Sequence, residues 1–498
     1  MNGASSRLLG ALQGHDARVV TATGTLSDAT LSDRVQRLAE RLDHAGVSRV
    51  ASQLDNGAQW LVLDLALRQI DAVHVPLPTF FSSSQLVHAL HSSGAQCVVT
   101  AQGSPVPQGV EALAGMLDEG RLERWRVAHV PDAVLPAGTA CITYTSGTTG
   151  RPKGVCLSAD TLTEVAGSLV QASSAIAPRR HLCLMPLSTL LENVAGLYAT
   201  LLADAQIVLP ALAEIGYTGA SGLDVPTLLR CLHRYQPESA ILVPQLLLAL
   251  VMAAEQGAPM PASLRYLAVG GGRVGPALMA RARAVGLPVF EGYGLTECGS
   301  VVCLNRPGSN RDGSVGQALP HAQVSIVDGE IHVAGARALG YLGDEQIPDG
   351  PIRTGDLGHI DEDGFVHVTG RRRNVFITAF GRNVSPEWVE SELLSHPALA
   401  QAVVWGEAQA DNVAVLVPRR GDLGDDAIAR ALAEVNTGLP DYARISRFVR
   451  APQPFSAADG LLTGNGRARR DAILSHYQSA VDECYRNPSN VPTFGVLT

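Results

Sequence analysis

The sequence predicts an α/β protein. A large N-terminal domain of stacked α/β sheets carries a β-rich subdomain near its end, and a small α/β C-terminal domain follows. Three observations carry this expectation. Helix, short turn and short β-branched strand alternate from residue 31 onward, the order of sheets covered by helices on both faces. The 498 residues exceed what one core fills and suit two or three packed domains. Short strands with glycine turns gather between 310 and 370.

In chain order, Leu31, Val35, Leu38 and Leu42 recur on one helical face, and Gly46 ends that helix. A second helix is expected over 57–68, a buried strand over 72–76, and a helix broken at Ser93-Gly94 before a strand at 97–100. A strand at 141–144 precedes a glycine-rich loop, and Leu162, Val165 and Leu169 mark a helix starting near Ser158. Residues 181–187 read as a strand leading into Ser188 and Thr189, either of which suits a helix cap. Residues 205–209 and 240–243 read as central strands, and Pro244 suits the first turn of the next helix. Toward the C-terminus, Ser385-Pro386 opens a helix, 401–405 and 413–418 are strands, 425–434 is a helix, and 445–449 adds an edge strand.

Composition narrows the function. Charged residues make up 17% of the chain and the net charge is -9 with no basic tail, which excludes a sequence-independent nucleic-acid surface. Eight cysteines lie scattered through mostly apolar runs without metal-ligand spacing, as core residues in a reducing compartment do. The N-terminus shows no export signal, and the most apolar run, 240–254, is broken by Pro244 and Gln245. A cytoplasmic protein without a transmembrane segment is expected.

The chemistry centres on Thr145-Ser-Gly-Thr-Thr-Gly-Arg-Pro-Lys153. Hydroxyls and glycines leave successive backbone donors open to phosphate oxygens, and one lysine adds a fixed charge. No Ser or Thr follows Lys153, so this is not the GxxxxGK[ST] loop. Gly270, Gly271 and Gly272 follow a buried strand and let the backbone pass close to a flat ligand. Tyr293-Gly-Leu-Thr-Glu297 then sets a hydroxyl, Thr296, beside a carboxylate, Glu297, as a hard cation on a triphosphate requires.

These motifs, in this order, resemble the adenylate-forming superfamily: acyl- and aryl-CoA synthetases, adenylation domains of peptide synthetases, and luciferases. Similarity in 187–192, 290–305 and 382–386 is closest to the long-chain fatty acyl-CoA synthetase branch. The resemblance implies a large domain over 1–372, with a β-rich subdomain at 310–370, then a mobile domain over 373–475 and a tail over 476–498. It implies ATP as substrate and Mg²⁺ as cofactor. Phosphates are held by Thr145, Ser146, Gly147, Thr148, Thr149, Gly150 and Lys153, with Thr296 on a phosphate oxygen and Glu297 on the metal. Adenine lies beside Gly270, Gly271 and Gly272, against Tyr293 and Gly294. The ribose hydroxyls meet Asp356 and Arg371.

An acyl pocket near Thr189, Leu190 and Gly271 is implied as well, with Thr189 where the family carries histidine and Glu192 in the acidic position. Arg373 matches the hinge, and Gly381 matches the residue lining a thiol tunnel. Arg467 stands where the family has a lysine that reaches the carboxylate and α-phosphate. Arginine keeps the charge and adds a rigid fork of donors, so the replacement is not conservative in a narrow cleft.

The implied reaction joins a small-molecule carboxylic acid, a medium- or long-chain fatty acid, to AMP and then to coenzyme A. The alternatives are an acyl-AMP ligase that delivers to an acyl carrier protein or an amine, and, because of Arg467, a non-catalytic acyl or nucleotide binder.

Overall fold

The computed structural model describes residues 3–105, 110–111, 116–118, 121–127, 133–145, 153–218, 222–343, 347, 350–463 and 466–486. Two large sheets form the N-terminal domain. In the first, the strands Val289–Leu295, Tyr266–Val269, Ser239–Leu242, Arg180–Leu182, Gln206–Val208 and Val19–Thr21 are neighbours in that order, all parallel. Antiparallel strands Ser300–Leu304 and Gly24–Leu26 flank them. In the second, Cys97–Ala101, Arg49–Gln53, Val73–Pro76 and Thr139–Thr145 run parallel, and Lys153–Ser158 pairs antiparallel with the last.

Strand alternation explains the layers, because successive side chains point to opposite faces. Ile207 and Tyr266 of the first sheet and Val50, Cys97 and Val155 of the second enter one shared core. Helix Ala58–Gln69, helix Ala159–Ser173 and a π-helix, Leu191–Tyr198, fill the space between the sheets. Leu182, Ala240, Leu242, Leu267 and Val269 face outward and pack against helices Val225–Tyr235, Pro244–Glu255 and Pro276–Ala284. Ala51, Val75, Val98 and Ile142 do the same for helix Ser83–Ser93.

The β-rich subdomain is a four-stranded antiparallel sheet: Ala322–Val327, Glu330–Gly335, Ile352–Ile360 and Val366–Arg371. The small domain carries a three-stranded sheet of Leu399–Trp405, Asn412–Pro418 and Ile445–Arg450, the last at the edge. Val404, Ala414 and Leu416 bury helices Pro386–Ser395 and Asp425–Thr437 on one face. Val403, Val413 and Val415 bury helix Arg470–Arg486 on the other. The expected α/β fold of a large and a small domain is what the chain adopts.

Three local expectations are corrected. The strand read over 181–187 stops at Leu182, because side chains take over its backbone groups: Asn56 donates to Met185 O at 2.8 Å and accepts from Leu187 N at 2.8 Å, and Glu192 accepts from Met185 N at 2.8 Å. Ser188 and Thr189 cap no helix, since the π-helix opens at Leu190 without a side-chain cap and the Thr189 hydroxyl donates to Pro186 O at 2.6 Å. The boundary at 475 falls inside helix Arg470–Arg486, whose Ile473, Val481 and Cys484 pack on the small-domain sheet; residues 487–498 lie outside the described residues.

Buried polar groups pin the π-helix at both ends. At its start, Glu192, fully buried, pairs through Oε1 with His181 Nε2 at 3.1 Å, and His181 Nδ1 pairs with Ser239 Oγ at 2.9 Å. A Cβ on Gly196 would overlap Glu192 Oε1, so the next turn closes over this pair only with glycine there. At its end, Tyr198 donates to Asp64 Oδ2 at 2.6 Å, beside Arg68 and His74. Burial alone would raise the Asp64 pKa, but Arg68, His74 and Tyr198 together hold it well below the usual carboxylate range. Ser52 and His74 complete a Ser-His-Asp line, with Ser52 Oγ 2.8 Å from His74 Nε2 and His74 Nδ1 2.7 Å from Asp64 Oδ1. All three are closed off from solvent, so the line ties a helix to the sheet and meets no substrate.

Candidate active site

The glycine-rich loop joins two antiparallel strands. Thr145 ends one and Lys153 begins the other, paired in register, with Thr145 Oγ1 donating to Lys153 O at 3.4 Å. Ser146, Gly147, Thr148, Thr149 and Gly150 lie outside the described residues. Lys153 Nζ stands 5.4 Å from the ring centre of Tyr341, in the range of cation–π attraction. The Tyr341 hydroxyl donates to Glu297 Oε1 at 3.0 Å, so Lys153, Tyr341 and Glu297 form one continuous wall.

Glu297 follows Thr296 in a short 3-10 turn at the end of strand Val289–Leu295. Tyr341 occupies one oxygen of its carboxylate, and among the described residues none donates to the other. An oxygen donor next to a hydroxyl and an ammonium suits a hard divalent cation on a polyphosphate. Gly294 stands in the same strand, where a Cβ would overlap the Ser300 carbonyl oxygen of the neighbouring strand. Glycine there is required by the hairpin itself, whatever ligand lies above it.

A second group is built on a cross-strand pair. Asp356 and Arg371 face each other in the β-rich subdomain, with Arg371 Nε donating to Asp356 Oδ1 at 2.9 Å. Tyr293 Oη donates to Asp356 Oδ2 at 2.7 Å, which fixes the Tyr293 ring against the subdomain. Burial, then the adjacent Asp356 charge, pushes the Tyr293 phenol above its ordinary pKa, so it stays a donor. Each Asp356 oxygen keeps a further lone pair for another hydroxyl.

Arg467 joins these groups from the small domain. Its Nη2 donates to Gly271 O at 2.9 Å. Desolvation and Arg371 lower its pKa, opposed by Asp356 and Glu297, so those three groups flank the guanidinium. The Arg467 side chain is exposed at the edge of this group. The loop that presents it is closed by Thr463, whose N–H donates to Arg467 O at 2.8 Å and whose Oγ1 accepts from Arg467 N at 3.1 Å. The two domains also meet where Arg281 donates to Ser395 O, and where Gly275 leaves only 2.9 Å between its Cβ position and Ser391 O.

Of the three shelf glycines only Gly271 has positive φ, at +75°. Cβ atoms on Gly270 and Gly271 would meet Leu191 at 4.0 and 3.6 Å, and one on Gly272 would meet Pro244 at 3.5 Å. Leu190 is packed in the main core, and its neighbour Leu191 is the residue that reaches the shelf. Thr189 is turned onto Pro186. Arg373 is exposed just after the Asp356–Arg371 pair, and Gly381, with φ +71°, turns a small-domain hairpin whose backbone bonds go to Ala408 and Gln409. Neither is brought to the cluster.

Sequence reasoning missed Tyr341 and Leu191. Tyr341 sits in the two-residue strand Gly340–Tyr341, which pairs with Lys153–Ser158 across the fold, and no local pattern marks it. The acidic Glu192 within an apolar run was the one signal pointing toward Leu191. The eight cysteines are buried and unpaired, and burial pushes thiols such as Cys141 up to about 11, so none serves as a thiolate nucleophile.

The fold is that of an acyl-adenylate-forming enzyme, a large domain with a smaller one whose Arg467 reaches Gly271 O. The chain belongs to the AMP-binding enzyme family: residues 10–342 match the AMP-binding enzyme and 373–489 its C-terminal domain. It is an enzyme that activates a carboxylate with ATP. It is 31% identical to the 2-succinylbenzoate–CoA ligase of Bacillus mycoides, covering 81% of this chain and 86% of that protein. It is 27% identical to the long-chain-fatty-acid–CoA ligase FadD15 of Mycobacterium bovis, covering 86% of each. The o-succinylbenzoate CoA synthetase of Bacillus subtilis, solved with ATP and magnesium, superposes with a TM-score of 0.74 at 25% identity, over 94% of this chain and 98% of that one. Aryl and fatty acyl ligases thus stand equally near, and no single branch is set apart. Among the described residues no helix is long and apolar enough to cross a membrane.

Proposed function

We propose that this enzyme converts a hydrophobic carboxylic acid to its coenzyme A thioester in two steps. In the first, a carboxylate oxygen attacks the α-phosphorus of ATP, the bond to the bridging oxygen breaks, and acyl-AMP and pyrophosphate result. Arg467 neutralises the carboxylate and the α-phosphate as they approach. Lys153 and the loop from Thr145 through Gly150 hold the β- and γ-phosphates. Tyr293, Gly294 and the shelf Gly270–Gly272 enclose adenine, while Asp356 and Arg371 take the ribose hydroxyls. Glu297, with Thr296 beside it, would hold Mg²⁺, which offsets charge on the phosphates.

In the second step the small domain turns about Arg373 and Gly381 lines the path of the incoming thiol. The thiol sulfur attacks the acyl carbonyl, its proton passes to solvent, and AMP leaves. Coenzyme A is the proposed acceptor, with a carrier-protein phosphopantetheine as the alternative. The proposed location is the cytoplasm, which suits unpaired buried cysteines.

The observation that carries this reading is Arg467 crossing from the small domain to Gly271 O, with Glu297, Asp356 and Arg371 around it. Likeness to FadD15 supports a medium- or long-chain fatty acid as the substrate. Likeness to 2-succinylbenzoate ligase, together with Leu191 lying over the shelf, supports a more compact acid.

The test is ATP–pyrophosphate exchange driven by carboxylic acids. Arg467→Ala and Lys153→Ala are each expected to lower exchange about a hundredfold, with Arg467→Lys restoring part of the loss. Exchange indifferent to Arg467→Ala removes that residue from the chemistry.

A further inference from the structure

The inward face of the first sheet is not closed along its whole length. By strand register, Tyr266, Ala268 and Gly270 share one face with Phe290 and Gly292. That face is directed into the main core, where residues in mid-sheet are ordinarily closed off from solvent. Tyr266 is, at 7% exposed. Ala268 and Phe290 are only half-buried, as are Leu191 and Val243 above them. Solvent therefore enters between the π-helix and the sheet, below the Gly270–Gly271 shelf.

The slot is short. From Gly270 to Ala268 is two strand residues, about 7 Å, and Tyr266, two residues further, is already closed. The Tyr266 ring stacks on Phe290 with centroids 5.0 Å apart and forms the floor. Among the described residues the buried Tyr266 hydroxyl has no hydrogen-bond partner, a state that costs free energy until something polar meets it. At the upper end Leu191 and Val243 flank Gly271 at 3.6 and 3.4 Å from its Cβ position. Leu191 is held in place by Glu192, its neighbour, locked to His181 and to Met185 N.

We propose that this slot admits a compact, ring-bearing carboxylic acid with a hydrogen-bonding group remote from the carboxylate, that Leu191 sets its width, and that Tyr266 reads the remote group. The inference rests on the adenylation reading. It places the carboxylate at the Arg467 end of the shelf and the ring against Phe290. Tyr266, closed off at the far end, would stop a long alkyl chain.

The test is pyrophosphate exchange by the full-length protein with benzoate, 4-hydroxybenzoate, hexanoate and palmitate. The parent is expected to use 4-hydroxybenzoate at least about tenfold better than palmitate in kcat/KM. Tyr266→Phe should reduce the preference for 4-hydroxybenzoate over benzoate about tenfold. Leu191→Ala should raise the KM for the aromatic acid and narrow its lead over palmitate, with the KM for ATP unchanged. Palmitate as the best substrate, or an acid ranking untouched by both variants, overturns the slot while leaving adenylation standing. Exchange with none of these or any longer acid, in protein that still binds ATP, overturns adenylation and the slot with it.

Discussion

Glu291 opens the segment that carries Tyr293 and Glu297, and it offers a quantitative check on the fold around them. Its side chain is 8% exposed. Burial raises its pKa from 4.5 to about 7, despite a hydrogen bond from Val274 N–H and the nearby charges of Arg273 and Arg283. A raised folded-state pKa means that the folded protein holds the proton more tightly than the unfolded chain. Below 4.5 both states are protonated and the difference vanishes. Between 4.5 and about 7 the unfolded chain ionises first, and stability falls as pH rises. Above 7 the folded state carries the full penalty, about 3 kcal/mol at roughly 1.4 kcal/mol per pH unit.

Glu291→Gln keeps an oxygen acceptor for Val274 and removes the ionisation. The variant should match the parent near pH 4 and be more stable by up to about 3 kcal/mol near pH 8, with a flatter pH dependence between. Denaturant midpoints of both proteins, measured at the two pH values, report it. An identical change in midpoint for parent and variant would refute a Glu291 held neutral by burial.

Other substitutions probe the site. Asp356→Asn weakens two charge-assisted hydrogen bonds, from Tyr293 and Arg371, and should raise the Kd for ATP about tenfold to a hundredfold by calorimetry; an unchanged Kd would take Asp356 out of the nucleotide site. Gly294→Ala drives a Cβ into Ser300 O and should lower stability by at least about 2 kcal/mol, read as a falling Tm, whereas an unmoved Tm would show that the hairpin yields.

The sequence makes the strands flanking the glycine-rich loop and the Tyr293–Glu297 turn legible because both are local. Glycines and hydroxyls in a fixed order already specify which backbone donors and oxygens stand together. Helix starts were legible for the same reason: Ser158 caps its helix through Thr161 N, and Pro244 occupies the first turn of the next. The strands at 401–405 and 413–418 were legible as near-continuous apolar runs, because the observed strands Leu399–Trp405 and Asn412–Pro418 divide their side chains between two cores.

What the sequence hides is made by distant partners. The strand after His181 ends because Asn56 and Glu192 reach its backbone from other elements, and an alternating apolar run contains no record of that competition. The π-helix is hidden likewise, since its register depends on Glu192 meeting His181 at one end and Tyr198 meeting Asp64 at the other. A single extra residue in that turn decides which leucine reaches the glycine shelf: local reading favours Leu190, and the packed structure brings Leu191. On the proposed roles, the nucleotide half of the site is encoded by short motifs, while the position of Leu191 beside the shelf is set by buried polar contacts between elements. On that reading, repacking around Glu192 alters acid preference while the phosphate loop, Glu297 and Asp356 stay as they are.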